Sequence, residues 1–152
     1  MLIRPGTPAD AEATARVHVD SWAATYTFPG PRLDERLELH RRSPPSFVAE
    51  VDGKIVGFVG VGPSRDSDAE GELYTIYVQP THWGTGVGRE LIRAGEERMR
   101  ELGYRHVVLW VLDGNQRASR FYESAGWTTD GERRTIDFVG QSIPEVRYAK
   151  QL

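Results

Sequence analysis

The feature that most constrains this chain is a turn with glycines at every second position, Gly84, Gly86 and Gly88. An apolar stretch at residues 73–78 precedes the turn, and a segment with helical periodicity follows it. Because glycine lacks a Cβ, the turn can bring several backbone N–H groups close to a ligand, and a helix start adds unpaired N–H groups and partial positive charge. The pattern favours a phosphate or pyrophosphate site. A plain tight connection between a strand and a helix would give the same local pattern.

Two common phosphate-binding motifs fit the turn poorly. A P-loop requires Gly-Lys-Ser/Thr, and this tripeptide does not occur in the sequence. The dinucleotide-binding motif requires a third glycine where Arg89 stands, and it belongs to alternating βαβ units rather than after a hairpin. The rest of the chain therefore has to identify the ligand.

Composition excludes several other classes of function. The formal net charge is −3 and there is no long basic block, which argues against nucleic acid and against a membrane surface as partners. The chain has no cysteine, which excludes disulfides and thiol nucleophiles, and its four histidines lack zinc-site spacing. The N-terminus lacks the apolar core of a signal peptide, and the longest apolar run, residues 107–112, is too short to span a bilayer. We expect a cytoplasmic protein without a metal.

Apolar periodicity and turn signals predict one domain over residues 1–152. The predicted order of elements is β-α-α-β-β-β-α-β-α-β-β, which is typical of a three-layer α/β domain around a mixed sheet. Asp52-Gly53 predicts a tight hairpin turn, and Asn115 is a candidate helix cap. The predicted strands cover residues 2–4, 46–51, 54–62, 72–78, 106–112, 128–133 and 145–151, the helices cover 7–24, 34–42, 86–102 and 116–125, and residues 135–144 form an unassigned connection.

Two segments resemble the GCN5-related N-acetyltransferase (GNAT) superfamily. The first segment is Ile76-Tyr77-Val78 followed by Gly84-Thr85-Gly86-Val87-Gly88, and the second is Asn115-x-x-Ala118-x-x-Phe121-Tyr122-x-x-x-Gly126-Trp127. They occur in the order and at the separations of the family. The strong resemblance lies within residues 73–127, and the order of elements extends it to the whole chain.

The resemblance implies a three-layer α/β/α fold with a mixed, mostly antiparallel central sheet that is splayed between the fourth and fifth strands. It also implies acetyl-coenzyme A as cosubstrate, with the backbone of residues 76–78 pairing with the pantetheine arm and N–H groups of residues 84–89 holding the pyrophosphate. Asn115 would contact the pantetheine or its own helix end, and Phe121 would pack beneath. The implied cofactor-binding residues are Ile76, Tyr77, Val78, Trp83, Gly84, Thr85, Gly86, Val87, Gly88, Arg89, Asn115, Phe121 and Tyr122.

Trp83 departs from the family pattern, which has glutamine or arginine at this position. An indole offers one N–H and neither a charge nor an amide. We therefore expect a lost or altered side-chain contact to phosphate. The backbone contacts should persist, and Arg89 is a candidate source of positive charge.

Acetyl transfer from a thioester to an amine requires a base, a donor to the oxyanion and an acid. The Val78 N–H is the candidate oxyanion donor, and the resemblance implies that Tyr122 protonates the departing thiolate. Glu72 lies four residues before Ile76, where some relatives carry a catalytic glutamate, and it is the candidate base, with ordered water as the alternative. The corresponding structural interpretations are a helical pair with one ring buried and one half-buried for Phe121 and Tyr122, and a solvated carboxylate at a strand end for Glu72.

The sequence gives weaker support for a functional role of the other polar residues. His18, His40 and Asp113 are further candidate bases without a supporting spacing. The acidic loop at residues 66–72 would either steer a cationic amine or, as we favour, lie solvated at a hairpin tip.

The acceptor is expected to contact the first two helices near Trp22, Tyr26 and Phe28, together with residues 135–144. We predict an acetyl-coenzyme A-dependent N-acetyltransferase that uses direct transfer in a ternary complex, with a primary amine on a small molecule or peptide as acceptor. A non-catalytic acyl-coenzyme A-binding sensor or regulatory module is the alternative, and a nucleotide-binding protein is a third interpretation. The resemblance makes a homodimer possible.

Overall fold

The computed structural model describes residues 1–138 and 140–152, and within them it contains seven strands and four α-helices. This composition and order confirm the predicted α/β class. Short 3-10 turns precede the first and third helices. In chain order the elements are β1 (Leu2–Pro5), α1 (Ala11–Thr25), α2 (Leu33–Arg42), β2 (Phe47–Val51), β3 (Lys54–Pro63), β4 (Gly71–Val78), α3 (Val87–Glu101), β5 (His106–Leu112), α4 (Gln116–Ser124), β6 (Thr128–Phe138) and β7 (Gln141–Gln151).

The strands form one mixed sheet in the order β1-β2-β3-β4-β5-β7-β6. β4 and β5 pair in parallel, with Gly71 opposite Val107 and Glu72 opposite Val108. The pairs β1–β2, β2–β3, β5–β7 and β6–β7 are antiparallel. The sheet is therefore mixed and mostly antiparallel, as predicted.

One compact unit consists of Met1–Val61 and Thr75–Arg98. A cluster in its core joins α1, β2 and β3 through Val17, Val48 and Phe58, none of which is more than 1% exposed. Burial of these apolar side chains supplies the main stabilisation of the unit.

Glycine serves two different purposes within this unit, a left-handed turn and a close approach between elements. Asp52 and Gly53 have φ angles of 53° and 76°, the left-handed conformation that a two-residue hairpin requires, so the predicted turn is confirmed. A Cβ at Gly57 would lie 2.9 Å from Leu91 Cδ1 and 3.1 Å from the Tyr77 carbonyl oxygen. Glycine at this position of β3 therefore lets α3 and β4 pack closely against it.

The other compact unit consists of Gly62–Tyr74 and Met99–Leu152. Its β5 lies between β4 and β7, and Val107, Val108 and Leu109 are at most 1% exposed. The prediction that this strand is central is confirmed. A single domain over the whole chain stays a prediction.

The last two strands are longer than predicted. β6 and β7 include most of residues 135–144, where the sequence suggested an unassigned connection, and Val139 lies outside the described residues. Thr135 pairs with Pro144 in the ladder. Pro144 lacks a backbone N–H donor but keeps its carbonyl acceptor. Its carbonyl oxygen still accepts a hydrogen bond of 2.9 Å from the Asp113 N–H.

Among residues 1–138 and 140–152, no α-helix combines the length and the apolar character that a membrane span requires. Nor do these residues form a group of three or more side chains suited to hold a metal ion.

Candidate active site

The glycine turn joins the end of β4 to the start of α3. Gly84 and Gly86 have φ angles of 76° and 93°, a left-handed backbone conformation that residues other than glycine rarely adopt. A Cβ at either position would meet no atom within 4 Å, so backbone conformation rather than crowding requires glycine here. α3 begins at Val87, and the first N–H groups of a helix have no partners within it. The turn therefore offers open backbone positions beside a positive helix end.

Trp83 fastens this turn to the end of β4. Its indole Nε1 donates a hydrogen bond of 2.8 Å to the carbonyl oxygen of Val78. The side chain is half-buried. Trp83 thus supports the backbone that leads into the glycine turn, a role that differs from the phosphate contact of the family glutamine or arginine.

The end of β4 also packs against α1. The Tyr77 ring stacks on the His18 ring, with centroids 4.1 Å apart, and lies 5.7 Å from the Phe58 ring. Ile76 and Val78 are half-buried like Tyr77. These contacts fix the backbone segment that was predicted to pair with pantetheine.

The second predicted segment forms α4 and its cap. Asn115 Oδ1 accepts a hydrogen bond of 3.2 Å from the Ala118 N–H, which confirms the predicted cap. Tyr122 is 8% exposed, and its ring lies 5.5 Å from Phe121 and 6.1 Å from Tyr148. The aromatic neighbours hold the Tyr122 ring in place, while its role as an acid stays a prediction.

Glu72 is buried and ion-paired. It is 1% exposed, and its carboxylate accepts hydrogen bonds from the backbone N–H of Arg65 at 3.0 Å and from the Arg65 guanidinium. The bond to Glu72 is the main cause that raises the pKa of Arg65. The solvated interpretation of Glu72 is wrong. Its role as a base stays a prediction, and proton uptake would require this ion pair to break.

The acidic loop between β3 and β4 is exposed at Asp68 and Glu70, as the favoured interpretation of a solvated hairpin tip expects, but its carboxylates also have partners. Asp66 and Asp68 both pair with Arg147, at 3.2 and 2.7 Å. The Arg147 hydrogen bond holds the pKa of Asp68 below its ordinary value. Glu70 accepts two backbone hydrogen bonds at the start of β5, of 2.8 and 3.0 Å. The loop is held by these contacts.

The predicted acceptor residues form one aromatic cluster. The Trp22 ring lies 4.6 Å from the Tyr26 ring and 5.5 Å from the Phe28 ring, and Tyr26 and Phe28 are 5.2 Å apart. Trp22 is buried, whereas the other two are half-buried. The cluster presents a partly exposed aromatic surface at the end of α1, and its contact with an acceptor stays a prediction.

The other candidate bases, His18, His40 and Asp113, are each buried or already paired. Burial lowers the pKa of His18 to about 3, and its Nδ1 is buried without a hydrogen-bond partner. Burial also lowers the pKa of His40, whose Nδ1 lies 2.6 Å from Thr14 Oγ1. Both imidazoles are therefore neutral near pH 7. Asp113 is ion-paired with Arg133.

Sequence reasoning missed one polar contact at the end of β4. Gln79 Nε2 donates a hydrogen bond of 3.0 Å to Asp20 Oδ2 on α1, and the Gln79 backbone N–H donates to the Val56 carbonyl oxygen at 2.8 Å. No spacing rule relates positions so far apart in the chain. The one signal was a carboxylate within the otherwise largely apolar stretch at residues 17–24.

Comparison with known proteins yields a consistent set of matches. A family model described as "Acetyltransferase (GNAT) family" matches residues 13–127. A mycothiol acetyltransferase from Thermomonospora curvata is 39% identical over 100 residues, which are 64% of this chain and 31% of that protein. The chain thus spans about a third of the length of this relative.

Solved structures show the same fold. A ribosomal-protein-alanine N-acetyltransferase from Brucella melitensis superposes with a TM-score of 0.78 and 26% identity, covering 100% of both chains. The protein yncA from Salmonella typhimurium, solved with its cofactor acetyl-CoA, has a TM-score of 0.75 and 22% identity, covering 99% of this chain and 93% of that one. These likenesses agree with the predicted three-layer α/β/α architecture.

Proposed function

The chain belongs to the GNAT acetyltransferase family, and we propose that it transfers an acetyl group from acetyl-coenzyme A to a primary amine within a ternary complex. The observation that carries this proposal is the turn between β4 and α3, where Gly84 and Gly86 adopt left-handed conformations with open space around them. Backbone N–H groups at a helix start suit a pyrophosphate. The acceptor is a small molecule or a peptide that carries the amine.

The residues present fit acetyl-coenzyme A. In the proposal, N–H groups of residues 84–89 hold the pyrophosphate, and the backbone of residues 76–78 pairs with the pantetheine arm. Open space beside both left-handed glycines leaves room for the phosphates. Bound acetyl-coenzyme A supplies the activated thioester. The yncA structure with its cofactor supports this assignment through a shared fold.

Tyr122 is the proposed acid. A phenol with an ordinary pKa of about 10 can protonate a departing thiolate, whose thiol has a pKa of about 8.5. The ring is mostly buried and packed between aromatic neighbours, and these contacts restrict its movement, which suits a positioned acid. Phe121 packs beside it as a non-ionising neighbour.

The oxyanion and the amine proton need separate groups. The Val78 N–H is the proposed donor to the oxyanion, since it ends the strand that receives the pantetheine. Ordered water is our first choice of base, because Glu72 is buried and held by Arg65. Glu72 is the second choice.

The aromatic cluster of Trp22, Tyr26 and Phe28 is the proposed contact for the apolar part of the acceptor. Its two half-buried rings leave apolar area accessible at the end of α1. Aromatic side chains bury large apolar areas and suit such contacts.

A matched pair of glycine substitutions tests the cosubstrate site. Gly84 and Gly53 both have a φ of 76° and open space at Cβ. Alanine at either should therefore cost a similar free energy of unfolding, about 1–2 kcal/mol. Gly84→Ala should also weaken acetyl-coenzyme A binding at least tenfold in titration calorimetry. Gly53→Ala should leave that affinity unchanged.

Turnover separates the enzyme from the alternative module. Release of coenzyme A with phenethylamine, spermidine, kanamycin or a peptide amide beginning with alanine supports catalysis. Acetyl-coenzyme A binding without turnover of any primary amine would support the non-catalytic sensor. Lack of acetyl-coenzyme A binding, or equal affinities of both glycine variants, would refute the proposed site.

A further inference from the structure

Asp20 is a charged residue at the end of β4 that the proposed reaction has not yet used. Its Oδ2 accepts a hydrogen bond of 3.0 Å from Gln79 Nε2. Gln79 directly follows Val78, the proposed oxyanion donor, and its own N–H is fixed on β3 by the Val56 carbonyl oxygen. The contact therefore places a carboxylate of α1 beside the end of the strand where the acetyl group is expected. Asp20, Gln79 and Val56 all belong to the first compact unit.

The charge of Asp20 is not balanced within the described part of the chain. The side chain is half-buried, and its partner is a neutral amide. Six other carboxylates that are at least half-buried each pair with an arginine. These are Asp10 and Glu50 with Arg4, Glu72 with Arg65, Asp66 with Arg147, Glu90 with Arg93 and Glu145 with Arg134.

A partly desolvated carboxylate without a cation is costly unless a ligand supplies one. Its free Oδ1 and the second lone pairs of both oxygens are available to ammonium N–H donors.

We infer that Asp20 binds the ammonium group of the acceptor and selects cationic amines, with Gln79 orienting its carboxylate. The inference rests on the proposed function. The acceptor enters as the ammonium form, and its nitrogen must lose a proton before it attacks the thioester carbon. Asp20 is assigned to binding, and the proton goes to the base discussed above.

The test compares binding of defined amines to the 152-residue chain saturated with coenzyme A. The probes are phenethylamine, spermidine and a peptide amide beginning with alanine, each titrated by calorimetry. Asp20→Asn keeps the size of the side chain and an oxygen for the Gln79 amide, and it removes the charge. Glu12→Gln, at an exposed position of α1, removes the same charge from the same helix and serves as control.

The amine of interest is the probe that the wild type binds most tightly. We expect Asp20→Asn to bind it at least tenfold more weakly than the wild type, and Glu12→Gln to bind it as tightly as the wild type. The uncharged analogue of phenethylamine, 2-phenylethanol, should bind equally to all three proteins. A second variant, Gln79→Lys, keeps Asp20 but supplies a competing ammonium, and it too should lose at least tenfold in amine affinity.

Two outcomes would overturn the inference. One is equal amine affinity of Asp20→Asn and wild type, and the other is that the wild type binds none of the probes. Titration with acetyl-coenzyme A is run in parallel on every variant. If Asp20→Asn still binds acetyl-coenzyme A and binds the amine as well as the wild type does, only the role of Asp20 is refuted. If the wild type itself does not bind acetyl-coenzyme A, the proposed function is refuted.

Discussion

At the scale of single residues, the proposed acid role of Tyr122 gives the most specific prediction. Tyr122→Phe should lower kcat by about 100-fold or more, because a positioned acid contributes roughly that factor. The affinity for acetyl-coenzyme A should change little, since the ring and its packing against Phe121 are retained. Steady-state rates of coenzyme A release and titration calorimetry measure the two quantities.

Tyr148→Phe is the matched control for this change. The Tyr148 hydroxyl donates to Glu123 Oε1 at 3.0 Å, and its ring lies 6.1 Å from that of Tyr122. Its removal should reduce stability by about 1 kcal/mol and leave kcat within a few-fold of wild type. If both variants kept the wild-type kcat, the acid role of Tyr122 would be wrong.

His18 should make the fold sensitive to acid. Burial lowers its pKa from 6.5 to about 3, so between these values the unfolded chain holds a proton that the folded chain does not. Its contribution to stability is therefore complete above pH 6.5 and is lost as the pH falls towards 3. The free energy of unfolding should drop by about 1.4 kcal/mol per pH unit in this range. Urea unfolding at pH 7, 6 and 5 measures the slope.

The variant His18→Gln provides the comparison, because glutamine does not titrate. Its unfolding free energy should vary less with pH than that of the wild type, although its absolute stability is lower. His40 remains and retains a smaller dependence of the same sign, since burial lowers its pKa too. Identical slopes in the two proteins would exclude His18 as the source.

At the scale of elements, the sequence predicted turns and helix starts most accurately where a residue type has a single structural role. Gly84 and Gly53 mark left-handed turns, and Asn115 caps α4 through its own side chain. The β6–β7 hairpin was underestimated because residues 135–144 carried no clear pattern and were left unassigned, whereas the pairing of Thr135 with Pro144 shows that the ladder extends into this segment. Local signals thus located element starts better than strand lengths.

The loop between β3 and β4 depends on one buried arginine. Arg147 on β7 pairs with Asp66, Asp68 and Asp130 and is 5% exposed. Arg147→Met should cost about 3–5 kcal/mol, because it leaves partly buried carboxylates without their cation. Thermal and urea unfolding measure the loss.

Arg133→Met is the control for this change. It removes an exposed arginine from an ion pair with Asp113, which should cost at most about 1 kcal/mol. If the two variants lost similar free energies of unfolding, the ion pairs of Arg147 would contribute no more to stability than an exposed ion pair.

At the scale of the whole molecule, the sequence located the elements of the proposed site better than the contacts of their charged groups. The glycine turn was recognised from its residue types, and the end of β4 and the start of α4 were singled out by the resemblance to the family. The partners of the charged groups were not, because the pairs Asp20–Gln79 and Arg147–Asp66 join positions far apart in the chain. Such pairs follow from tertiary packing, which no local pattern encodes. The burial of Glu72 beside Arg65 has the same origin.

The proposed direct transfer makes a prediction about the kinetic mechanism. If the amine attacks the thioester without an acetyl-enzyme intermediate, both substrates must be bound together. Initial rates measured against acetyl-coenzyme A at several fixed amine concentrations should therefore give double-reciprocal lines that intersect. Mass spectrometry after acetyl-coenzyme A is mixed with the protein alone should show no stoichiometric acetyl-enzyme. Parallel lines, or a covalent intermediate that an added amine discharges, would replace direct transfer by a two-step mechanism with a nucleophile still to be found.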